Sequence, residues 1–121
     1  MIRGLGIDLM DVKRIKDALE RHPRFLARVY SPREQEAIAQ RGAETAAGYF
    51  AAKEAVAKAL GVGFNGFGPA AISVEYDEAG APRAVLSGGA KRRFEEMGGR
   101  RLLLTITHLS AVAAATAIIE G

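Results

Sequence analysis

Three charged residues inside an otherwise apolar run give the first chemical signal. The stretch Phe50-Ala51-Ala52-Lys53-Glu54-Ala55-Val56-Ala57-Lys58-Ala59-Leu60-Gly61 is alanine-rich, and its apolar character reaches back to Ala43. It reads as a helix over 43–60, buried nearly all round and stopped by Gly61. At ~100° per residue, Glu54 projects between Phe50 and Ala47, and Lys58 between Ala47 and Ala51. A charge in an apolar sector needs an opposite charge, a metal or a charged ligand. Glu54 and Lys58 also stand one turn apart in the favourable acid-before-base order. One reading is an i,i+4 ion pair on a half-exposed helix. The other is a face that offers a carboxylate and an ammonium to one object, as a phosphate held by a divalent cation requires. Lys53 points away from Lys58, between Leu60 and Ala57, and its role is open.

A second carboxylate lies near the N-terminus. Ile2-Arg3-Gly4-Leu5-Gly6-Ile7-Asp8-Leu9-Met10 alternates as a strand, with Arg3, Leu5, Ile7 and Leu9 on one face. Ile2, Gly4, Gly6 and Asp8 share the other. Glycine inside a strand marks close approach of a ligand or another backbone. Asp8 stands at the end of that bare face. With Glu54 it could complete a hard oxygen site of the kind magnesium takes, one or two carboxylates plus phosphates and waters. Alternatively Asp8 or Asp11 caps the helix that follows.

The elements that must position these residues follow in order. Strand 2–9 leads to a helix from Val12 to Glu20, then to a basic segment from Arg24 to Tyr30. Ser31-Pro32-Arg33-Glu34 is a capping box with proline at the first helical position. Its helix should end near Gly42, and the long helix 43–60 follows. Gly61 to Pro69 is a loop with four glycines in nine residues. Ala71–Tyr76 and Arg83–Ser87 form a hairpin. A helix spans Ala90 to Met97. Leu102–His108 and Ala111–Ile119 make a last hairpin. The order βααα-ββ-α-ββ predicts an α+β fold, a mainly antiparallel sheet with helices on one face. Alanines at 111, 113, 115 and 117 leave one side of the last strand with little bulk, where another sheet or subunit could pack.

Composition sets the bounds. At 121 residues, 49% hydrophobic and 26% charged, the chain reads as a single globular domain, 1–121. No apolar run approaches the ~20 residues needed to span a bilayer. With no cysteine there is no disulfide, thiolate nucleophile or zinc–cysteine site. A cytoplasmic location is compatible with that. Neither a Rossmann nor a Walker-type loop is present. From Lys13 to Arg33 there are seven basic residues against two acidic ones, a local excess of five on a chain whose net charge is +3. Arg14, Arg21, Arg24 and Arg28 lie in this strip. It is either a solvated basic face or a docking strip for an acidic partner. No helix-turn-helix or RNP-type aromatic pattern supports nucleic acid as that partner.

Gly6-Ile7-Asp8, the Phe-x-x-Lys-Glu-Ala-x-x-Lys-Ala run at 50–59 and the spacing between them resemble holo-[acyl-carrier-protein] synthase, the small type of 4′-phosphopantetheinyl transferase. Gly80-Ala81-Pro82 with Leu86-Ser87-Gly88, Thr105-Ile106-Thr107-His108, and Ala111 to Glu120 continue the resemblance to the end of the chain. Phe50-Ala51-Ala52 departs from the motif's usual serine or cysteine before Lys-Glu, conservatively in size. The resemblance implies transfer of the phosphopantetheine arm of coenzyme A to a serine of an apo-acyl carrier protein, leaving adenosine 3′,5′-bisphosphate. It implies Asp8 and Glu54 as magnesium ligands and Lys58 beside the phosphates. Glu54, directly or through a water on the metal, becomes the candidate proton acceptor. It places His108, otherwise a solvated residue at a turn, near the coenzyme A phosphates. The glycine loop, Gly63 included, could approach the nucleotide or serve as a plain connector. The basic strip becomes a docking site for the carrier protein, and the assembly a homotrimer with sites between subunits. Two other classes fit the bare residues: another magnesium-dependent nucleotide enzyme, or a non-catalytic basic module that binds an acidic protein.

Overall fold

Alternation along the N-terminal segment becomes strand β1 (Ile2–Asp11) in the computed structural model, which describes residues 1–121. Three helices follow, α1 (Val12–Arg21), α2 (Phe25–Val29) and α3 (Pro32–Arg41), then the long α4 (Ala43–Ala59). A 3-10 turn (Pro69–Ala71) leads into β2 (Ile72–Tyr76) and β3 (Pro82–Leu86). Helix α5 (Gly88–Glu96) precedes β4 (Arg101–His108) and β5 (Val112–Glu120). Asp11 caps α1, its carboxylate accepting from Lys13 N at 2.9 Å. Both halves of the Ser31/Glu34 capping box form on α3. Gly61 ends α4 with φ of 78°, a left-handed value that costs glycine nothing.

The fold is α+β, with two antiparallel sheets rather than one. β5 lies between β1 and β4, and β2 pairs with β3 as a separate hairpin. Helix α4 crosses one face of the three-stranded sheet. Ala113, Ala115, Ala117 and Ile119 of β5 are buried beneath it. The small-residue side of β5 therefore receives this helix, not another sheet or subunit as the alternation suggested. On β1, a Cβ at Gly6 would overlap the carbonyl oxygen of Ala55, and one at Gly4 that of Ala59. The close approach marked by the strand glycines is to the helix backbone.

That contact is unforgiving, because the obstacle is backbone and cannot rotate away. Gly6→Ala is expected to cost at least ~1–3 kcal/mol of stability, the usual penalty of overpacking. Urea unfolding measures it, and an unchanged midpoint would refute the packing argument.

The other face of the sheet is bare. Leu5, Ile7 and Leu9 are 65%, 66% and 70% exposed there. Such a contiguous apolar patch marks an interaction surface.

Candidate active site

Asp8 follows Gly6 on the same face of β1 but lies past the tight crossing of the helix. Its side chain is 14% exposed. Lys58 of α4 reaches it across the open edge of the strand: its Nζ donates to Ile7 O at 2.9 Å and to Asp8 Oδ1 at 3.3 Å. Asp8 Oδ2 is buried and has no partner. An orphaned carboxylate oxygen of this kind calls for an explanation in function.

Glu54 completes the cluster, one helical turn before Lys58. Burial is the main cause that raises its pKa; the Asp8 carboxylate adds to this and the Lys58 ammonium opposes it. The two carboxylates thus feel each other's charge. The ion pair suggested by the spacing of Glu54 and Lys58 does not form, because Lys58 is turned to Asp8 instead. No group of three or more His, Cys, Asp or Glu is placed to hold a metal. A cation here would have two protein carboxylates and take its other ligands from substrate and water, as magnesium does. The donors are all oxygen, and one is unpartnered, so the residues fit such an ion.

The other residues read from sequence lie elsewhere. His108 sits at the far end of β4, with β5 between it and β1, and its Nδ1 is 3.4 Å from Glu44 Oε2. Two strand spacings make that ~10 Å from β1, so His108 does not join Asp8 within one chain. Gly63 lies in the loop after α4 with φ of 60°, and nothing would contact a Cβ built on it. Arg14, Arg21, Arg24 and Arg28 are all exposed, on α1 and around α2. Arg24 and Arg28 border a hollow of about 500 Å³ that also includes Phe25 and Val29.

Sequence reasoning missed one polar centre. Lys53 and Glu34 form a fully buried ion pair at 2.7 Å, both side chains wholly inaccessible. Desolvation pulls the Lys53 pKa down and Glu34 holds it back. The signal was present: a lysine on an apolar helix sector requires a buried acid, and Glu34 was the acid already marked by its capping box.

Comparison with known proteins places this fold in a class. Residues 4–113 match the model of the 4′-phosphopantetheinyl transferase superfamily. The holo-[acyl-carrier-protein] synthase of Clostridium novyi (strain NT) is 43% identical over 99% of this chain and 88% of its own. That of Solidesulfovibrio magneticus is 44% identical over the whole of both chains. Among solved structures, the holo-[acyl-carrier-protein] synthase of Neisseria meningitidis superposes with a TM-score of 0.89 at 30% identity, covering all of both chains. The Helicobacter pylori enzyme in complex with coenzyme A gives 0.84 at 30% identity, over 96% of this chain and 99% of that one. The chain belongs to the 4′-phosphopantetheinyl transferase superfamily, and within it to the holo-[acyl-carrier-protein] synthases.

Proposed function

We propose that this chain moves the 4′-phosphopantetheine arm of coenzyme A onto a serine hydroxyl of an apo-acyl carrier protein. One observation carries the reading at residue level: the unpartnered Asp8 Oδ2, buried beside Glu54 and Lys58. The relatives' names and the coenzyme A bound to the Helicobacter pylori enzyme support the substrates.

In this reaction the serine oxygen forms a bond to the β-phosphorus of coenzyme A. The bond from that phosphorus to the bridging oxygen breaks, and adenosine 3′,5′-bisphosphate leaves. The nucleophile belongs to the partner, so this chain needs no Ser, Cys or Lys nucleophile. Asp8 and Glu54 would hold a magnesium ion, which would neutralise charge on the pyrophosphate. Lys58 brings an ammonium to the same place and stabilises negative charge on the leaving group. Glu54 receives the serine proton, directly or through a water; burial and Asp8 make it a stronger base than a solvated glutamate. His108 and the loop with Gly63 bind the coenzyme A phosphates.

His108 lies two strands across the sheet from Asp8, so the two residues would meet different parts of a coenzyme A. The resemblance to holo-[acyl-carrier-protein] synthases implies a homotrimer with sites between subunits, and the exposed face of Leu5, Ile7 and Leu9 would suit its interface. No helix is long and apolar enough to cross a membrane. We place the reaction in the cytoplasm, with a carrier protein of the fatty-acid or the polyketide type as its acceptor. Arg14, Arg21, Arg24 and Arg28 receive the carrier. Mass spectrometry tests the whole: apo-carrier protein, coenzyme A and magnesium with this chain should give carrier heavier by one phosphopantetheinyl group. Carrier of unchanged mass would overturn the reading.

Lys58→Ala is expected to lower turnover roughly 10²-fold, the loss seen when a group that stabilises transition-state charge is removed. The Michaelis constant for the carrier should hardly move. A raised constant with normal turnover would reassign Lys58 to docking.

A further inference from the structure

Helix α4 carries the chemistry, yet it is smooth. Seven of its eleven buried residues are alanine. Short side chains make shallow ridges, which resist rotation of a helix about its axis only weakly. The strand glycines admit the small Ala55 and Ala59 face of α4 against β1, which limits its rotation by packing but gives it no directional bond. A buried, directional anchor would hold the rotation more firmly.

Lys53 is the one long polar side chain of α4 that is entirely inaccessible. Its Nζ has three hydrogens and three partners: Glu34 Oε1 at 2.7 Å, Pro69 O at 3.2 Å, and Ile72 O. Those partners come from α3, from the 3-10 turn and from β2. Glu34 is in turn held by Ser31 N at 2.8 Å on Oε1 and by Val74 N at 2.7 Å on Oε2. Every donor in the network thus ends on a fixed backbone or a satisfied carboxylate. A buried charge so engaged cannot move without leaving polar groups unpaired, which is the costly outcome. Lys53 is also adjacent to Glu54, ~100° away around the helix. A rotation that would carry Glu54 and Lys58 off Asp8 is the rotation that would tear Lys53 from its partners.

We propose that Lys53 is a positioning residue for the transfer. Its three-point attachment fixes the rotation of α4, and so sets Glu54 and Lys58 against Asp8. It touches neither substrate nor metal. The proposal rests on the reading of Asp8 and Glu54 as the magnesium site.

Two variants test it. Lys53→Met with Glu34→Gln removes both charges and leaves no lone buried ion. Lys53→Arg keeps the charge but replaces the compact ammonium with a broader fork. Both are expected to raise the magnesium concentration at half-maximal rate by ~10- to 100-fold, the range found when a supporting contact behind a ligand is lost. Manganese binding followed by electron paramagnetic resonance should weaken in parallel, while the Michaelis constant for the carrier stays within about twofold. Ile119→Val, a buried change in β5 away from this network, should lower the melting temperature and leave the magnesium midpoint alone. Either Lys53 variant, folded by circular dichroism and showing wild-type turnover and metal binding, overturns the proposal. Asp8→Asn separates the two claims. If it kills transfer while the Lys53 variants stay normal, only positioning is lost; if it leaves magnesium-dependent transfer intact, the metal site itself is wrong.

Discussion

Glu54→Gln should lower transfer by orders of magnitude and at the same time stabilise the metal-free fold at neutral pH. The two effects have one cause. Burial and the Asp8 carboxylate raise the Glu54 pKa above its ordinary value. Between the ordinary and the raised value the folded chain holds a proton that the unfolded chain has released. Stability contributed by protonated Glu54 is therefore complete below the ordinary carboxylate range and is lost as pH rises through the raised value. Glutamine cannot lose that proton. The melting temperatures of Glu54→Gln and the parent should nearly coincide near pH 4 and separate as pH rises, with the variant higher. Activity goes the other way. Loss of a carboxylate that would hold the metal and receive the serine proton should cost roughly 10²- to 10³-fold in turnover. Asp8→Asn should share the loss of activity, but not the gain in stability in full, because it also removes the negative charge that Lys58 meets at 3.3 Å. Thermal melts across pH without metal, with turnover measured at saturating magnesium, decide the matter. A folded Glu54→Gln with near-normal turnover would refute its role. One that melts below the parent at neutral pH would refute the electrostatic account.

How much of this was legible in the sequence depends on the range of the physics involved. Period-two alternation and a capping box are local, so β1 and the start of α3 could be read directly. Asp8, Glu54 and Lys58 were legible because each is a charge on a bare or apolar face, and such a charge needs a counterpart. Which counterpart is a question of tertiary contact. Lys58 chose Asp8, some fifty positions away in the chain, over Glu54 one turn away on its own helix. The alanine face of β5 and the glycine face of β1 were both recognised as surfaces of close approach. Sequence could not say that the same helix fills both. The small-residue side of β5 was consequently read as an outer surface, although α4 covers it, while the exposed Leu5, Ile7 and Leu9 lie on the opposite face of the sheet, on the first strand. Lys53 was hidden for a similar reason: Glu34, nineteen residues earlier, already had a sufficient local role as a cap.

Reversal of Arg14 and Arg28 to glutamate should raise the Michaelis constant for the carrier protein roughly 10- to 100-fold and leave that for coenzyme A nearly unchanged. The strip from Lys13 to Arg33 has an excess of five positive charges, and its arginines point to solvent from α1 and α2. None of these four is paired with an acid in the structure. Such charges act first on encounter: they draw an acidic partner in and orient it, and like charges placed opposite it repel by several kcal/mol. Arg24 and Arg28 also border the hollow with Phe25 and Val29, so an apolar side chain of the partner can be seated between two cations. The charge contribution should fade with added salt, because screening acts over ~8 Å at physiological ionic strength. The wild-type Michaelis constant for the carrier should therefore rise with salt and approach that of the double variant, which should respond far less. Coenzyme A binding would follow neither trend if its phosphates meet Lys58 and His108 rather than the strip. Steady-state kinetics on both substrates across a salt series distinguishes the cases. A carrier constant indifferent to salt and to charge reversal would remove the strip from the docking surface. An equal loss of affinity for coenzyme A would move it into the nucleotide site.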